Sequence, residues 1–385
     1  MKKDTIKILF CIAVIAFISF MGIFTITNNN TYSQYEGRSL VTFPRPKLNE
    51  FLNDDIYETI TNAFSDQMFI KNIFVKLYHK INFQRYIDDV VIGKDEQLFY
   101  QPFIVEDEEE YIDSLKNVIS NEMNEVAEGV NKLGAEFIFI SIPRKDVAMN
   151  NYLPFSYYDG TGDYLKYVEI IKDVKSDNVN FIDSYHLFNE SKYNSFYQTD
   201  HHVNIRGGYL LFEEIINIVN KKHKVKIDSL ENEYDIFKQV VNGSYNRKTG
   251  NAISSEPEEL NLNYKKSDVK YVRYDNGQLS SVDVFGSGTS YASAYMGNDY
   301  GETIIDTNLD KAPNILYVGT SYTNVLESLS VFKFNKMVSI DYRHNETGKS
   351  IEDYVKEYNI DYVVFICSQS DNALKVSSIK QQLGK

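Results

Sequence analysis

Between residue 134 and the C-terminus, short apolar runs alternate with stretches whose apolar residues recur at helical spacing. The runs are 137–142 (FIFISI), 179–183, 314–318 (NILYV), 337–340 and 361–367 (DYVVFIC). Helical patterns at 164–172, 205–220, 322–332 and 350–358 separate them, and another over 106–132 stops at Gly134. Runs this short and this apolar read as strands covered on both faces, and the alternation predicts an α/β, doubly wound, mostly parallel sheet. A sheet of that kind places its chemistry at the carboxyl ends of its strands.

Other features narrow where such a sheet operates. After Lys7 no charged side chain occurs until Glu36, and residues 8–27 (ILFCIAVIAFISFMGIFTIT) are almost wholly apolar. About 20 residues at ~1.5 Å per residue match the ~30 Å of a bilayer core. Lys2, Lys3 and Lys7 precede the run, which predicts a single transmembrane helix with a cytoplasmic N-terminus and the remainder outside. A cleaved signal peptide is the rival. It would have a shorter apolar region and small residues at its end, whereas Ile23 and Phe24 follow Gly22 here. The bulky Phe10 before Cys11 argues against lipidation. Cys11 and Cys367 are too few for a disulfide framework or a cysteine zinc module, and Cys367 reads as a small core residue. A net charge of −14 opposes general nucleic-acid binding, which needs clustered Lys and Arg.

Residues 28–50, with Asn, Ser, Gly and a Pro-Arg-Pro triplet, read as a stalk or extended arm. Apolar spacing over 51–84 predicts one or two amphipathic helices, and 90–100 (VVIGKDEQLFY) a hairpin. Between about 230 and 305 the alternation fails. That polar, turn-rich stretch reads as a β-rich insertion on the rim of the site, with hairpins near 269–274 and 279–285.

Two places hold residues suited to chemistry. In TyrGlnThrAspHisHisVal, 197–203, two of the six histidines adjoin an aspartate just before a helix. Extended backbone would turn Asp200 and His202 to one side and His201 to the other, letting the carboxylate orient and stabilise the His202 imidazole. The competing reading is Asp200 as a helix cap with the histidines merely nearby; a metal site is a third. The second place is 314–324, where an apolar strand runs into Gly319, Thr320 and Ser321 and then a helix. A serine there projects from the strand end, with helix N–H groups behind it for an oxyanion. Tyr322 stands where the hydrolase elbow wants a second glycine, so the motif is half met, and an ordinary serine cap competes. Ser290, in GlySerGlyThrSer, has no strand leading into it and is the weaker nucleophile candidate. Together, Ser321, His202 and Asp200 supply nucleophile, base and orienting group.

These segments resemble, in order, the DHHW group of SGNH-hydrolase-like proteins, relatives of the alginate O-acetyltransferases. The pieces are IleGlyLysAspGluGlnLeuPheTyr (92–100), PheIleSerIleProArgLys (139–145), ThrAspHisHis (199–202), TyrMetGlyAsn (295–298), GlyThrSerTyr (319–322) and IleAspTyrArg (340–343). The resemblance implies an SGNH-like fold from about residue 90, and a Ser321–His202–Asp200 triad that transfers acetyl groups onto a polysaccharide. It also implies a multi-pass membrane acyltransferase as the partner that brings acetyl outward, and no cofactor or metal. The expected organisation is residues 1–7 in the cytoplasm, 8–27 as anchor, 28–89 as stalk and helices, and 90–385 as the catalytic domain. An esterase using the same triad and a non-catalytic polysaccharide-binding scaffold are the alternatives. Val203 occupies the family's tryptophan position, which bears on substrate contacts more than on the triad. Asn298 joins the Ser321 N–H as an oxyanion candidate. Tyr322 and Lys145 (with Arg144) are candidates to line the cleft. Arg343 either holds substrate or pairs with Asp341.

Overall fold

In the computed structural model the apolar runs become the five parallel strands of one eight-stranded sheet. The structure describes residues 2–33, 38–44, 54–71, 73–74, 77, 86–87, 89–100, 116–155, 157, 160–222, 224, 226–228, 235–251, 253, 258–264 and 269–368. The chain forms two compact units, one of residues 1–88 with 246–255, the other of 89–245 with 256–385.

The first unit begins with α1 (Lys2–Thr27), which is long and apolar enough over Thr5–Thr27 to cross a membrane, with a mean hydropathy of 2.7. Phe20 and Phe24 near its end pack on Phe69, beyond helix α2 (Asp54–Gln67). The arm after α1 is tied down where it is described. The buried Gln67 side chain donates to the carbonyls of Asn30 and Val41 and accepts from the Asn30 N–H. Asp66 accepts from Val41 N–H.

The second unit opens with hairpin β1 (Val90–Ile92) and β2 (Leu98–Tyr100), as the GlyLysAsp turn predicts. Then follow α3 (Asn124–Lys132), β3 (Glu136–Ile142), α4 (Thr161–Val174), β4 (Val179–Asp183), α5 (Ser184–Glu190) and α6 (Ile205–Lys222). A ribbon of β5 (Asp235–Val241) and β6 (Glu258–Tyr264) precedes β7 (Tyr271–Asp275), β8 (Gln278–Ser280) and β9 (Glu302–Thr307). The chain closes through β10 (Asn314–Gly319), α7 (Asn324–Ser330), β11 (Lys336–Asp341), α8 (Ile351–Tyr358) and β12 (Tyr362–Ser368). The first part of the helix expected over 106–132 lies outside the described residues; what is described enters α3 through a π-helical turn, Val118–Met123.

The sheet order is β8-β7-β9-β11-β10-β12-β3-β4. The five strands from β11 to β4 are parallel, and β8, β7 and β9 extend the sheet antiparallel beyond β11. Side chains of the central strands alternate between two cores, as a pleated strand covered on both faces must. Along β12, Tyr362, Val364 and Ile366 join the core under α6 and α7, while Val363, Phe365 and Cys367 join the core under α3, α4 and α8. The 230–305 stretch therefore differs from the insertion expected. The two hairpins expected at 269–274 and 279–285 are one, β7–β8, turning at Asn276 and Gly277, both at positive φ, and it continues the main sheet.

Candidate active site

Strand β10 lies inside the parallel block, between β11 and β12, and delivers Ser321 at its carboxyl end. Gly319 lets the chain turn there: a Cβ would lie 2.7 Å from Thr323 Cγ2 and 2.9 Å from the Ile366 carbonyl. Thr320 stays extended, and residues 321–323 form a single 3-10 turn leading into α7.

The Asp-His segment arrives on a tight loop between α5 and α6. Phe196 pairs with Val203, Asn204 N–H bonds the Ser195 carbonyl, and the Asn204 amide donates to the carbonyls of Asn194 and Phe196. Asn204 Oδ1 accepts from the N–H groups of Arg206 and Gly207, so Asn204 caps α6. Asp200 is not the cap. Nor is the loop extended: the His201 and His202 rings lie side by side, their centroids 3.9 Å apart, instead of pointing oppositely. Asp200 reaches His202 by a bend. Its Oδ1 accepts from the His202 N–H at 3.0 Å and lies 2.7 Å from His202 Nδ1.

His202 Nε2 lies 2.8 Å from Ser321 Oγ across 119 positions of sequence. All three side chains are nearly buried, Asp200 most of all. Asp200 Oδ2 accepts the Ser244 N–H at 2.6 Å, and His201 Nδ1 lies 3.2 Å from Ser244 Oγ. Burial pushes the Asp200 carboxyl up, but His201, His202 and the hydrogen bonds from His202 and Ser244 outweigh it and hold the group well below the usual carboxylate range. The carboxylate stays charged and fixes a proton on Nδ1, which leaves Nε2 as acceptor toward Ser321.

Two supports carried no local signal in the sequence. The Tyr291 ring stacks on His202 at 3.9 Å and 4°, closing one face of the imidazole. Tyr291 follows Ser290, whose hydroxyl caps a short helix through a capping box with Ser293; the decoy serine is thereby occupied. The second is GlySer, 243–244, inside the polar stretch. Gly243 packs on the loop so closely that a Cβ would lie 2.0 Å from the Thr199 carbonyl oxygen. Gly243→Ala must push that backbone away, and with it the Ser244–Asp200 bond. Thermal melting is expected to fall by an amount equivalent to about 1–3 kcal/mol. Ester turnover should fall with it, because the acceptor geometry around Asp200 is what moves.

The other candidates divide. Tyr322 packs on His202, with ring centroids 5.1 Å apart, and is half-buried at the site. Lys145 is buried; its ammonium donates to the carbonyls of Leu98 at 2.7 Å and Gln198 at 2.6 Å, pinning the β1–β2 hairpin to the start of the Asp-His loop. That is an anchoring role, and the expected cleft contact is not what its ammonium makes. Arg144 pairs with Asp146. Arg343 is held by Asp341 through Nε at 2.9 Å and reaches Asp299 at 3.3 Å. Asn298 is exposed, just after the left-handed residues Met296 and Gly297. Val203, at the tryptophan position, is buried against Phe196 and α6, so its side chain packs the loop and offers no surface to a ligand.

Asp200, His201 and His202 are also the one group of metal-ligating side chains, among the described residues, close enough together to hold a cation. Asp200 Oδ1 and Oδ2 and both His202 nitrogens already have protein partners, so a cation there would have to displace at least one of these bonds.

A family model described as an SGNH hydrolase-like domain, acetyltransferase AlgX, matches residues 90–339, which hold Asp200, His202 and Ser321 but not Asp341 or Arg343. Among solved structures, PatB1 of Bacillus cereus aligns at 20% identity and a TM-score of 0.58, over 73% of this chain and 96% of that one. A PatB1 structure with a sulfonyl adduct aligns at 20% and 0.60, over 76% and 99%. A DHHW family protein from Eubacterium siraeum aligns at 18% and 0.58, over 76% and 94%. No curated protein sequence matches the chain. At these identities the solved structures speak for the SGNH-like fold alone. The family match spans well over half of the sequence and runs through both the Asp-His loop and the serine turn, and on that ground the chain belongs to the SGNH hydrolase-like acetyltransferase family.

Proposed function

We propose that this enzyme moves an acetyl group from a donor to a hydroxyl of a polysaccharide, with Ser321 as nucleophile, His202 as general base and acid, and Asp200 as the group that orients it. The observation that carries the reading is the continuous hydrogen-bond chain from Asp200 Oδ1 through His202 to Ser321 Oγ, at 2.7 and 2.8 Å. In the first half-reaction Ser321 Oγ attacks the acyl carbonyl while its proton passes to His202 Nε2. The tetrahedral oxyanion faces the Ser321 N–H, which heads its turn and has no acceptor within it. Asn298 is the second proposed donor. Collapse expels the donor's leaving group, which takes the proton from His202 and leaves acetyl-Ser321. In the second half a sugar hydroxyl gives its proton to His202 and attacks the acetyl carbonyl, and the departing Ser321 Oγ takes that proton from His202, so the acceptor gains an ester and the enzyme is restored.

The proposed setting is a membrane surface, with α1 as anchor, its N-terminal lysines in the cytoplasm and the second unit outside. A multi-pass membrane acyltransferase is the proposed source of acetyl. The acceptor class and the O-acetyl transfer rest on the resemblance to the alginate O-acetyltransferases. The half-buried Tyr322 beside His202 is proposed as a wall for the acyl donor or sugar.

The test uses the full chain in detergent with an activated acetyl ester, with and without oligosaccharides. Acetylated sugar, formed faster than in a Ser321→Ala control, is the expected product. Free acetate with no acetylated sugar from any oligosaccharide tried would assign the same residues to an esterase. If wild type forms neither acetylated sugar nor acetate above the uncatalysed rate, a scaffold is left.

A further inference from the structure

Within the first unit the sequence changes character at Gln67. Asp66 is the last acid before Asp88, and in a chain of net charge −14 the stretch between them carries Lys71, Lys76, Lys80 and Arg85. It opens as MetPheIleLysAsnIlePheValLysLeu, 68–77, where bulky apolar residues dominate. Apolar, aromatic and basic together, with no acid, is the composition of a segment that lies on a phospholipid surface. The structure leaves its apolar side chains uncovered: Met68, Phe69, Ile73, Phe74 and Leu77 are from 41% to 65% exposed. A cluster of that kind marks an interaction surface.

What covers it follows from where α1 holds it. Asn28 and Asn30, just past the end of α1, bond Gln67: the Asn28 amide donates to the Gln67 carbonyl at 3.2 Å, and the Gln67 side chain donates to the Asn30 carbonyl at 2.8 Å. Two residues on, the chain has reached the helix itself. The Phe69 N–H donates to Thr25 Oγ1 at 3.3 Å, and the Phe69 ring packs on Phe24 at 5.0 Å and on Phe20 at 6.3 Å. Phe24 and Phe20 lie about 5 and about 10 Å along the helix axis from Thr27. The apolar run of α1 is only just long enough for a bilayer core, with Lys7 at one end and Asn28 at the other. Sliding α1 outward until both phenylalanines left the lipid would draw Lys7 into the core, which is costly. Phe69 is thereby held about 5–10 Å deep, the depth to which interfacial helices bury their apolar face.

We propose that Met68, Phe69, Ile73, Phe74 and Leu77 form a membrane-docking surface whose occupant is the outer leaflet of the same bilayer that α1 crosses. The proposal rests on reading α1 as an anchor, and it adds a second, lateral hold to the first unit. The backbone suits the place, because in lipid N–H groups need partners within the protein. Besides the Phe69 bond to Thr25, the Lys71 N–H donates to the Met68 carbonyl at 3.1 Å and the Phe74 N–H to the Ile70 carbonyl at 3.0 Å. The depth set by α1 and the acid-free basic sequence both favour a lipid surface over a protein partner.

The chain has no tryptophan, so a single introduced one reports its own surroundings alone. Full-length Ile73→Trp, Phe74→Trp and Phe17→Trp are each reconstituted, with no other protein, into vesicles of phosphatidylglycerol and phosphatidylcholine, the latter with brominated acyl chains. All three positions are exposed, so the new ring displaces no packed neighbour, and Phe17 lies in the middle of α1. Emission from Ile73→Trp and Phe74→Trp should be blue-shifted and quenched by at least about half, as from Phe17→Trp, and aqueous iodide should quench it at least about threefold less than N-acetyltryptophanamide. If both escape the brominated lipid and meet iodide freely while Phe17→Trp is quenched by lipid, the surface is left to a protein partner: the inference is overturned and the anchor stands. If Phe17→Trp escapes the brominated lipid, the anchor reading fails, and this one with it.

Discussion

Ser321→Ala should lower acetyl-ester turnover by about four to six orders of magnitude, the range seen when a serine nucleophile acting in concert with a base is removed. The size follows from the geometry. With Oγ gone, His202 Nε2 has no alcohol at 2.8 Å to deprotonate, and the oriented imidazole and its buried carboxylate act on nothing. The Ser321 N–H is a backbone group and survives, so any residual rate over the uncatalysed reaction reports oxyanion stabilisation and binding alone. Folding should be nearly untouched. The alanine fills the same turn, and Oγ contributes one hydrogen bond, worth about 1 kcal/mol. Burst kinetics with a chromogenic ester, together with intact-mass detection of an acetylated chain, separate the outcomes. An acetyl adduct on wild type that is missing from Ser321→Ala is expected. A variant that still turns over at wild-type rate would mean that another nucleophile serves the site.

How much of this could be read from the sequence depended on what each segment buries. Strands β3, β10, β11 and β12 were legible because both of their faces are covered, so almost every position is apolar and the run announces itself. Strand β7 was not. Its inward positions are Arg273 and Asp275, a buried ion pair with carbonyl partners, while Val272 and Tyr274 face solvent, an inversion of the usual alternation. A hydropathy pattern cannot separate such a strand from a polar loop, and the same stretch therefore looked like an insertion. At the site, Ser321 and the Asp200–His202 pair stood out because strand-to-turn and AspHisHis carry meaning locally. Gly243, Ser244 and Tyr291 act only through long-range packing on the Asp-His loop, which no neighbouring residue encodes. The bend at Asp200 escaped for a related reason. It is imposed by Asn204, whose side chain bonds both back to Phe196 and forward to α6.

Asp200→Asn should cost about 10⁴ in turnover with little change in the fold. The groups that hydrogen-bond Asp200 are donors, the His202 N–H and Nδ1 at one oxygen and the Ser244 N–H at the other, and His201 Nδ1 lies 3.3 Å from the first oxygen. An asparagine has only one acceptor oxygen, so its amide must turn an NH₂ group toward either Ser244 or His202. Toward Ser244, two donors collide in a buried place; toward His202, the amide donates to Nδ1 and drives the proton to Nε2, where it blocks acceptance from Ser321. The second outcome is a catalytic loss written in tautomers, and nitrogen-15 shifts of His202 read it directly. The pH dependence of stability offers an independent check. The folded Asp200 carboxyl lies well below its ordinary value near 3.8. Its contribution is therefore full above that value and fades as pH falls toward the folded one. Glu327, buried on α7 and raised by that burial, runs the other way, its contribution present below about 4.5 and lost as pH climbs to about 7. Wild type should thus be squeezed from both ends, and Asp200→Asn should flatten the acid side only. An Asp200→Asn chain with wild-type turnover, or an acid limb unchanged from wild type, would strip Asp200 of the orienting role.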